Sequence, residues 1–147
     1  MERPRPGCPL PGRRGRRPGL AARLPARAHP SALGAPLASL PRFQAAVGEI
    51  EVSLAGADRL VDALAAAVDA GEPGAAEQAG GAKVLGTRAA IDAVQQAVAL
   101  VGNHGLTRRH PLERHLRDVL CARVHTPQDD SVLLAAGRAA LGRVRPL

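Results

Sequence analysis

The chain has 147 residues, with 20 Lys+Arg against 13 Asp+Glu and a formal net charge of +7. That is room for one domain, it holds no uninterrupted run of 18 apolar residues that would mark a membrane-spanning helix, and with Phe43 as its sole aromatic residue it has no base-stacking platform for single-stranded nucleic acid. Cys8 and Cys121 are too far apart in sequence to suggest a disulfide framework or a metal cluster, so a reducing compartment and a cytoplasmic location are the default expectation.

The charge is unevenly placed. Residues 1–34 hold eight Arg and one acid, Glu2, together with seven of the 13 prolines, whereas residues 35–147 hold 12 basic and 12 acidic residues. Pro and Gly recur every few positions in the first segment, so neither helix nor strand can run far. There is too little apolar surface to offset ordering entropy, and residues 1–36 are expected to be a disordered Arg/Pro-rich leader. The densest basic patch, Arg13, Arg14, Arg16 and Arg17, leaves a phosphate-contacting nucleic-acid arm as an alternative. A transit peptide should be Ser-rich and amphipathic, and a secretory signal needs an apolar stretch; the segment shows neither.

Four helices are predicted in the body, residues 37–147. Ser39 is a suitable N-cap and Pro41 a suitable first-turn residue for the first of them. Phe43, Val47, Ile50, Leu54, Ala57, Val61, Leu64 and Val68 then follow at alternating steps of four and three, which places one apolar stripe along a helix. Gly71 and Pro73 stop it after about 33 residues, roughly 50 Å. A second helix begins between Ala75 and Ala82 and runs to about Val101, with Val84, Ile91, Val94, Val98 and Val101 as its stripe; Gly80-Gly81 weakens its first turns and Gly102 ends it. The third opens at Pro111 and carries Leu112, Leu116, Val119, Leu120 and Val124, with Glu113 and Arg117 four apart in the favourable order. Cys121 lies close to its apolar face and is expected to be buried. For the fourth, Thr126 is the expected cap and Pro127 the expected first helical residue, with Asp129 and Asp130 favouring the positive helix end and the run continuing to about Leu141. Short connections between four amphipathic helices argue for an all-α, antiparallel up-and-down bundle.

Two stretches carry a resemblance. Residues 82–106, AKVLGTRAAIDAVQQAVALVGNHGL, followed by 108–130, RRHPLERHLRDVLCARVHTPQDD, are a helix ending in a glycine turn, then Pro-Leu-Glu-Arg, then Arg-Asp. This order and spacing resembles the C-terminal helical domain of acyl-CoA dehydrogenases and their flavin-dependent monooxygenase relatives. Residues 40–64, LPRFQAAVGEIEVSLAGADRLVDAL, are similar to the long helix that precedes it, with Gln44 at a characteristic Gln. The resemblance covers roughly residues 37 to 145 and implies an oxidoreductase flavoprotein using FAD, or FMN in the monooxygenase branch, on an acyl-CoA-type substrate. It also implies a subunit with a further helical domain and a β-barrel, with the flavin lying between barrel and bundle and reaching a neighbouring subunit.

The resemblance further implies that Gly102, Asn103 and Gly105 are candidate cofactor-binding residues, because Gly102-Asn103-His104-Gly105 matches the family's flavin-contacting Gly-Gly-x-Gly turn. Asn103 stands at one of its glycines, and Ala99 stands where a Gln is usual. A plain helix cap is the alternative reading of the glycines. Arg117 and Asp118 match an Arg-Asp pair, expected to be a structural ion-pair network tying helices together. Thr126 occupies the position at which many dehydrogenases carry a catalytic Glu, and a Thr hydroxyl is no general base at neutral pH. His125-x-Pro resembles the monooxygenase branch, which makes His125 the candidate catalytic residue; histidine is the side-chain type suited to proton transfer near neutral pH. A capping or surface histidine is the alternative. The spacings among His104, His110, His115 and His125 do not suggest a metal site, and none is expected. The helix bearing the family's flavin-binding Arg-x-x-Phe has no counterpart here, so the bundle is expected not to catalyse alone. The expected partner is a second copy or a full-length family subunit, with membrane and nucleic acid not expected. A non-catalytic helical oligomerisation or interaction module is the alternative function.

Overall fold

In the computed structural model, which describes Leu24 and residues 34–143, the chain forms four α-helices joined by short turns. A 3-10 turn at Leu37–Ser39 leads into α1, Pro41–Asp69, and a five-residue link leads to α2, Ala75–Val101. A second 3-10 turn, Gly102–Leu106, precedes α3, Pro111–Leu120; a third, Cys121–Arg123, precedes α4, Asp129–Gly142. There is no strand among the described residues. The all-α expectation and its four helices hold.

Helix α1 is 29 residues long, about 44 Å at 1.5 Å per residue. Its cap differs from the expected one. Leu40 is the N-cap, and the Ser39 hydroxyl donates to the Pro36 carbonyl at 2.7 Å within the preceding turn instead of receiving a helix N–H. Pro41 takes the first helical position, where its missing N–H is no loss. The other end is a Schellman turn: Gly71 N–H donates to Val68 O and Glu72 N–H to Ala67 O, both at 3.0 Å. Gly71 has φ +70°, a backbone position that glycine takes without strain, and Pro73 follows.

The link turns the chain back so that α2 runs antiparallel to α1 in the most extensive helix contact of the fold. The core lies at one end of this hairpin, where Phe43 and Ile50 of α1 meet Ala93 and Ala97 of α2, Leu112 of α3 and Leu24 of the N-terminal segment. Val47, Leu54, Val98 and Val101 pack around it. Small alanines at 93 and 97 let α1 and α3 approach α2, while Ile50 and Leu112, each 1 % exposed, supply the largest fully buried side chains. Full burial of a branched aliphatic of this size contributes about 1.5–3 kcal/mol.

Helix α2 is the hub, touching α1, α3 and α4. Its hydropathy follows from that position. Over Ala75–Leu106 the peak mean hydropathy is 1.2, enough by length and composition to cross a membrane, although no uninterrupted apolar run marks it. Seven of its residues, including Val84, Ile91 and Val94, are nonetheless buried against the other helices, as befits the central helix of a bundle.

Helix α4 is the most lightly held. It has no buried residue. It runs antiparallel to α2, with Asp129 against Lys83 and Val132 against Gly80. Gly80 is therefore more than a weak spot in the helix. A Cβ there would stand 3.1 Å from Val132 Cγ1, so the missing side chain is what admits α4 this close. The expected cap at Thr126 is displaced: α4 begins at Asp129 with Gln128 as N-cap, and Pro127 precedes the helix by two residues. The Ser131 hydroxyl donates back to Gln128 O at 2.7 Å.

The expected disorder of residues 1–36 falls on positions outside the described residues, apart from Leu24 and 34–36; Leu24 itself is buried in the core. The basic patch at Arg13, Arg14, Arg16 and Arg17 also lies outside them.

Candidate functional site

The glycine turn begins where α2 ends. Gly102 has φ +66° and ψ −149°, and its N–H donates to Val98 O, closing the last helical turn. That backbone region is essentially open to glycine alone. A Cβ at Gly102 would meet nothing within 4 Å, so the backbone there faces open space. Asn103 and His104 beside it are exposed. Gly105 is different: it is buried, and a Cβ would meet Val101 at 3.4 Å and Leu112 Cδ1 at 3.5 Å. Gly105 thus seats α3 against the end of α2, while Gly102 and Asn103 present the accessible backbone. The turn is held from its far side by Thr107, whose hydroxyl donates to His104 O at 3.0 Å.

An approachable backbone edge at a helix end suits a cofactor that must come close to the main chain, and Gly102 and Asn103 fit a flavin's edge or its dinucleotide arm on this ground. Gly105 fits only as support.

His125 lies on an exposed loop between the Cys121–Arg123 turn and α4. That loop flanks α2 well away from the glycine turn. Val124 and Gln128, on either side of His125, line a cleft of about 430 Å³ whose opposite wall is Arg88, Ile91 and Asp92. Along the helix axis those residues are about 15–21 Å from Gly102. The structure therefore gathers Gly102, Asn103 and Gly105 in one turn and leaves His125 at a second locus. Thr126 is exposed beside it.

Two other expectations change. Arg117 contacts Glu113 at 2.6 Å and Asp118 at 3.9 Å, all on α3, so this network braces one helix and does not tie helices together. Among the described residues, the pair that does join two helices is Lys83 on α2 with Asp129 on α4, at 2.8 Å, with side chains only 22 % and 19 % exposed. It was hidden because its members are 46 positions apart and Asp129 reads first as a helix-start charge. Cys121, expected to be buried, is exposed, with its thiol donating weakly to Arg117 O at 3.8 Å. It begins the 3-10 turn that follows α3, and this end of the helix is uncovered: Leu120 beside it is 38 % exposed as well. Among the described residues no group of three or more His, Cys, Asp or Glu is placed to hold a metal ion.

Gln96 Oε1 on α2 is buried without a hydrogen-bond partner among the described residues.

Comparison with known proteins agrees with this fold. Residues 26–138 match the family described as "Acyl-CoA dehydrogenase, C-terminal domain". A relative in Bacillus subtilis (strain 168), named "Putative acyl-CoA dehydrogenase YdbM", is 33% identical over 106 residues, covering 71% of this chain and 28% of the relative. A solved structure of the electron transferring flavoprotein of Acidaminococcus fermentans superposes with a TM-score of 0.73 at 21% identity, over 82% of this chain and 31% of that one, and is similar in fold. The chain thus spans less than a third of the length of either protein. With the sequence match running over most of the helical body, the chain belongs to the acyl-CoA dehydrogenase family and corresponds to its C-terminal helical domain.

Proposed function

We propose that this chain is the flavin-facing and subunit-contacting helical part of an acyl-CoA dehydrogenase-like oxidoreductase, acting within a larger assembly and not catalysing alone. The observation that carries the reading is the open backbone at Gly102, at the end of a helix matched to the family's C-terminal domain. FAD or FMN bound there would supply two-electron redox chemistry to an acyl-CoA-type substrate held by the rest of the assembly. Gly102 and Asn103 would hold the cofactor's edge through the main chain. Gly105 would fix the turn by packing on Leu112. His125, exposed on its loop, would hold or pass a proton to a group brought to that face.

The subunit contact rests on a second observation. Val61 and Val68 on α1, Leu85 on α2, and Leu134 and Leu141 on α4 are all exposed, at 44–73 %. That much aliphatic surface at one end of a small bundle favours association with a second copy or a full-length family subunit. A cytoplasmic location, without membrane or nucleic acid as partner, belongs to the same proposal and rests on cysteine usage and on the absence of a stacking aromatic.

The test is a pair of measurements on the purified chain. Flavin fluorescence should show at most weak binding by the chain alone and clear binding when it is combined with a family subunit, with Gly102→Val abolishing the gain. Light scattering should show a dimer or larger species. Tightly bound yellow flavin with acyl-CoA-dependent dye reduction by the chain alone would overturn the non-catalytic part. A monodisperse monomer that binds no surface-sensing dye would overturn the association part.

A further inference from the structure

Residues 35–147 are charge-balanced as a whole, yet the 14 residues from His104 to Arg117 hold four Arg and a single acid, Glu113. The structure gathers these charges around one surface concavity of about 570 Å³, walled by Arg108 and Arg109 of the turn before α3 and by Glu113, Arg114 and Arg117 of α3 itself. Glu113 is already engaged, 2.6 Å from Arg117. Arg108, Arg109 and Arg114 have no ion pair among the described residues. We propose that Arg108, Arg109 and Arg114 form a binding site for a phosphate-bearing small molecule, with a diphosphate group as the part recognised.

The turn that presents the two arginines is built to hold still. His110 N–H donates to Thr107 O at 2.9 Å, closing a turn with Arg108 and Arg109 at its two corners. Thr107 is tied back to His104 O through both its amide and its hydroxyl. The His110 imidazole is occupied as well: its Nδ1 accepts the Leu112 N–H at 3.3 Å and caps α3. The backbone under the arginines is therefore fixed by four hydrogen bonds, and the guanidinium groups stand exposed above it.

Three uncompensated guanidinium groups around one hollow repel one another, and a compact polyanion relieves that repulsion. A guanidinium presents paired N–H donors that match a phosphate's oxygens bidentately. A diphosphate, with several charges over a few ångströms, can engage more than one of them, which a lone carboxylate cannot. The cations are confined to one turn and one helix end, so they suit a bounded ligand better than a nucleic-acid strand, which needs a track of contacts along its backbone. The chain's sole aromatic, Phe43, is buried and offers no base-stacking surface. This site does not depend on flavin at Gly102 and stands or falls separately from it.

Calorimetric titration of inorganic pyrophosphate and of ADP into the full chain tests the proposal. Both should bind, and Arg108→Gln, Arg109→Gln and Arg114→Gln should each weaken pyrophosphate roughly tenfold, the scale of one charge-assisted contact. Arg108→Lys, which keeps the charge and loses the fork, should weaken it severalfold. Arg138→Gln on α4 and the double change Arg13→Gln/Arg14→Gln should leave affinity unchanged, which separates the site from general basicity. Vesicles containing phosphatidic acid and duplex DNA, used as competitors, should not displace pyrophosphate in proportion to their charge. The proposal is overturned if pyrophosphate does not bind, if the control variants lose as much affinity as the site variants, or if vesicles or DNA bind through Arg108 and Arg109 while pyrophosphate does not.

Discussion

The two ends of the α1–α2 hairpin carry the same apolar period and have opposite fates. At one end Phe43 and Ile50 are buried among Ala93, Ala97, Leu112 and Leu24. At the other, Val61 and Val68 continue the same stripe yet stay 49 % and 44 % exposed, above a groove lined by Ala79, Ala82 and Lys83. The difference is the third layer. The first end is closed by α3, the glycine turn and Leu24. Among the described residues the second receives only α4, which is attached by Val132 at Gly80 and by one ion pair. A helical period reports which face is apolar; what comes to rest on it is decided elsewhere in the chain.

Changes at the two ends should separate this contrast. The largest effect is expected at the closed end. Ile50→Ala removes a fully buried side chain from a site walled by three helices, and should cost about 2–5 kcal/mol in urea or thermal unfolding. Next is Gly102→Ala, which forces a side-chain-bearing residue into a glycine-only conformation and should cost about 1–3 kcal/mol while leaving the helical circular dichroism intact. If that variant is as stable as the parent, the turn is not held as described.

Lys83→Ala should cost about 1–2 kcal/mol and act mainly on α4, by leaving the half-buried Asp129 carboxylate unpaired. Hydrogen exchange should show it, with amides of α4 losing protection while those of α1 near Ile50 do not. Equal loss everywhere would mean that α4 is coupled to the core more tightly than its contacts suggest. The smallest effect on folding is expected for Val61→Ala, below about 1 kcal/mol because the side chain is half exposed. Its consequence should appear in association, as a shift toward smaller species in light scattering. A large loss of monomer stability with no change in assembly would show that the open end is core after all.

Much of the architecture was legible in order along the chain. The stripe from Phe43 to Val68, Gly71 with Pro73 after it, Gly102 at the end of α2 and Pro111 at the start of α3 all appear where local chemistry puts them, since each depends on backbone geometry within one turn. The errors share a cause. Ser39 and Thr126 are good capping residues by type, yet Leu40 and Gln128 hold the cap positions, because several residues near a helix start can serve and the wider packing selects among them. Cys121 reads as close to the apolar face of a helix that carries on to Val124, and the helix ends at Leu120.

The candidate site was legible only in pieces. Gly102 and Gly105 both read as turn glycines, but one leaves open space and the other seats Leu112, a distinction that depends on a residue from another helix. Nothing local indicated that His125 would lie well along α2 from the glycine turn, or that Arg108, Arg109 and Arg114 would share one hollow. The sequence by itself determined the helices, their stops and their apolar faces, because propensity, capping and periodicity act over a few residues. The tertiary structure alone decided which stretch of each face is covered, that Lys83 reaches Asp129, and which charges are left unpaired, because those depend on where distant segments meet.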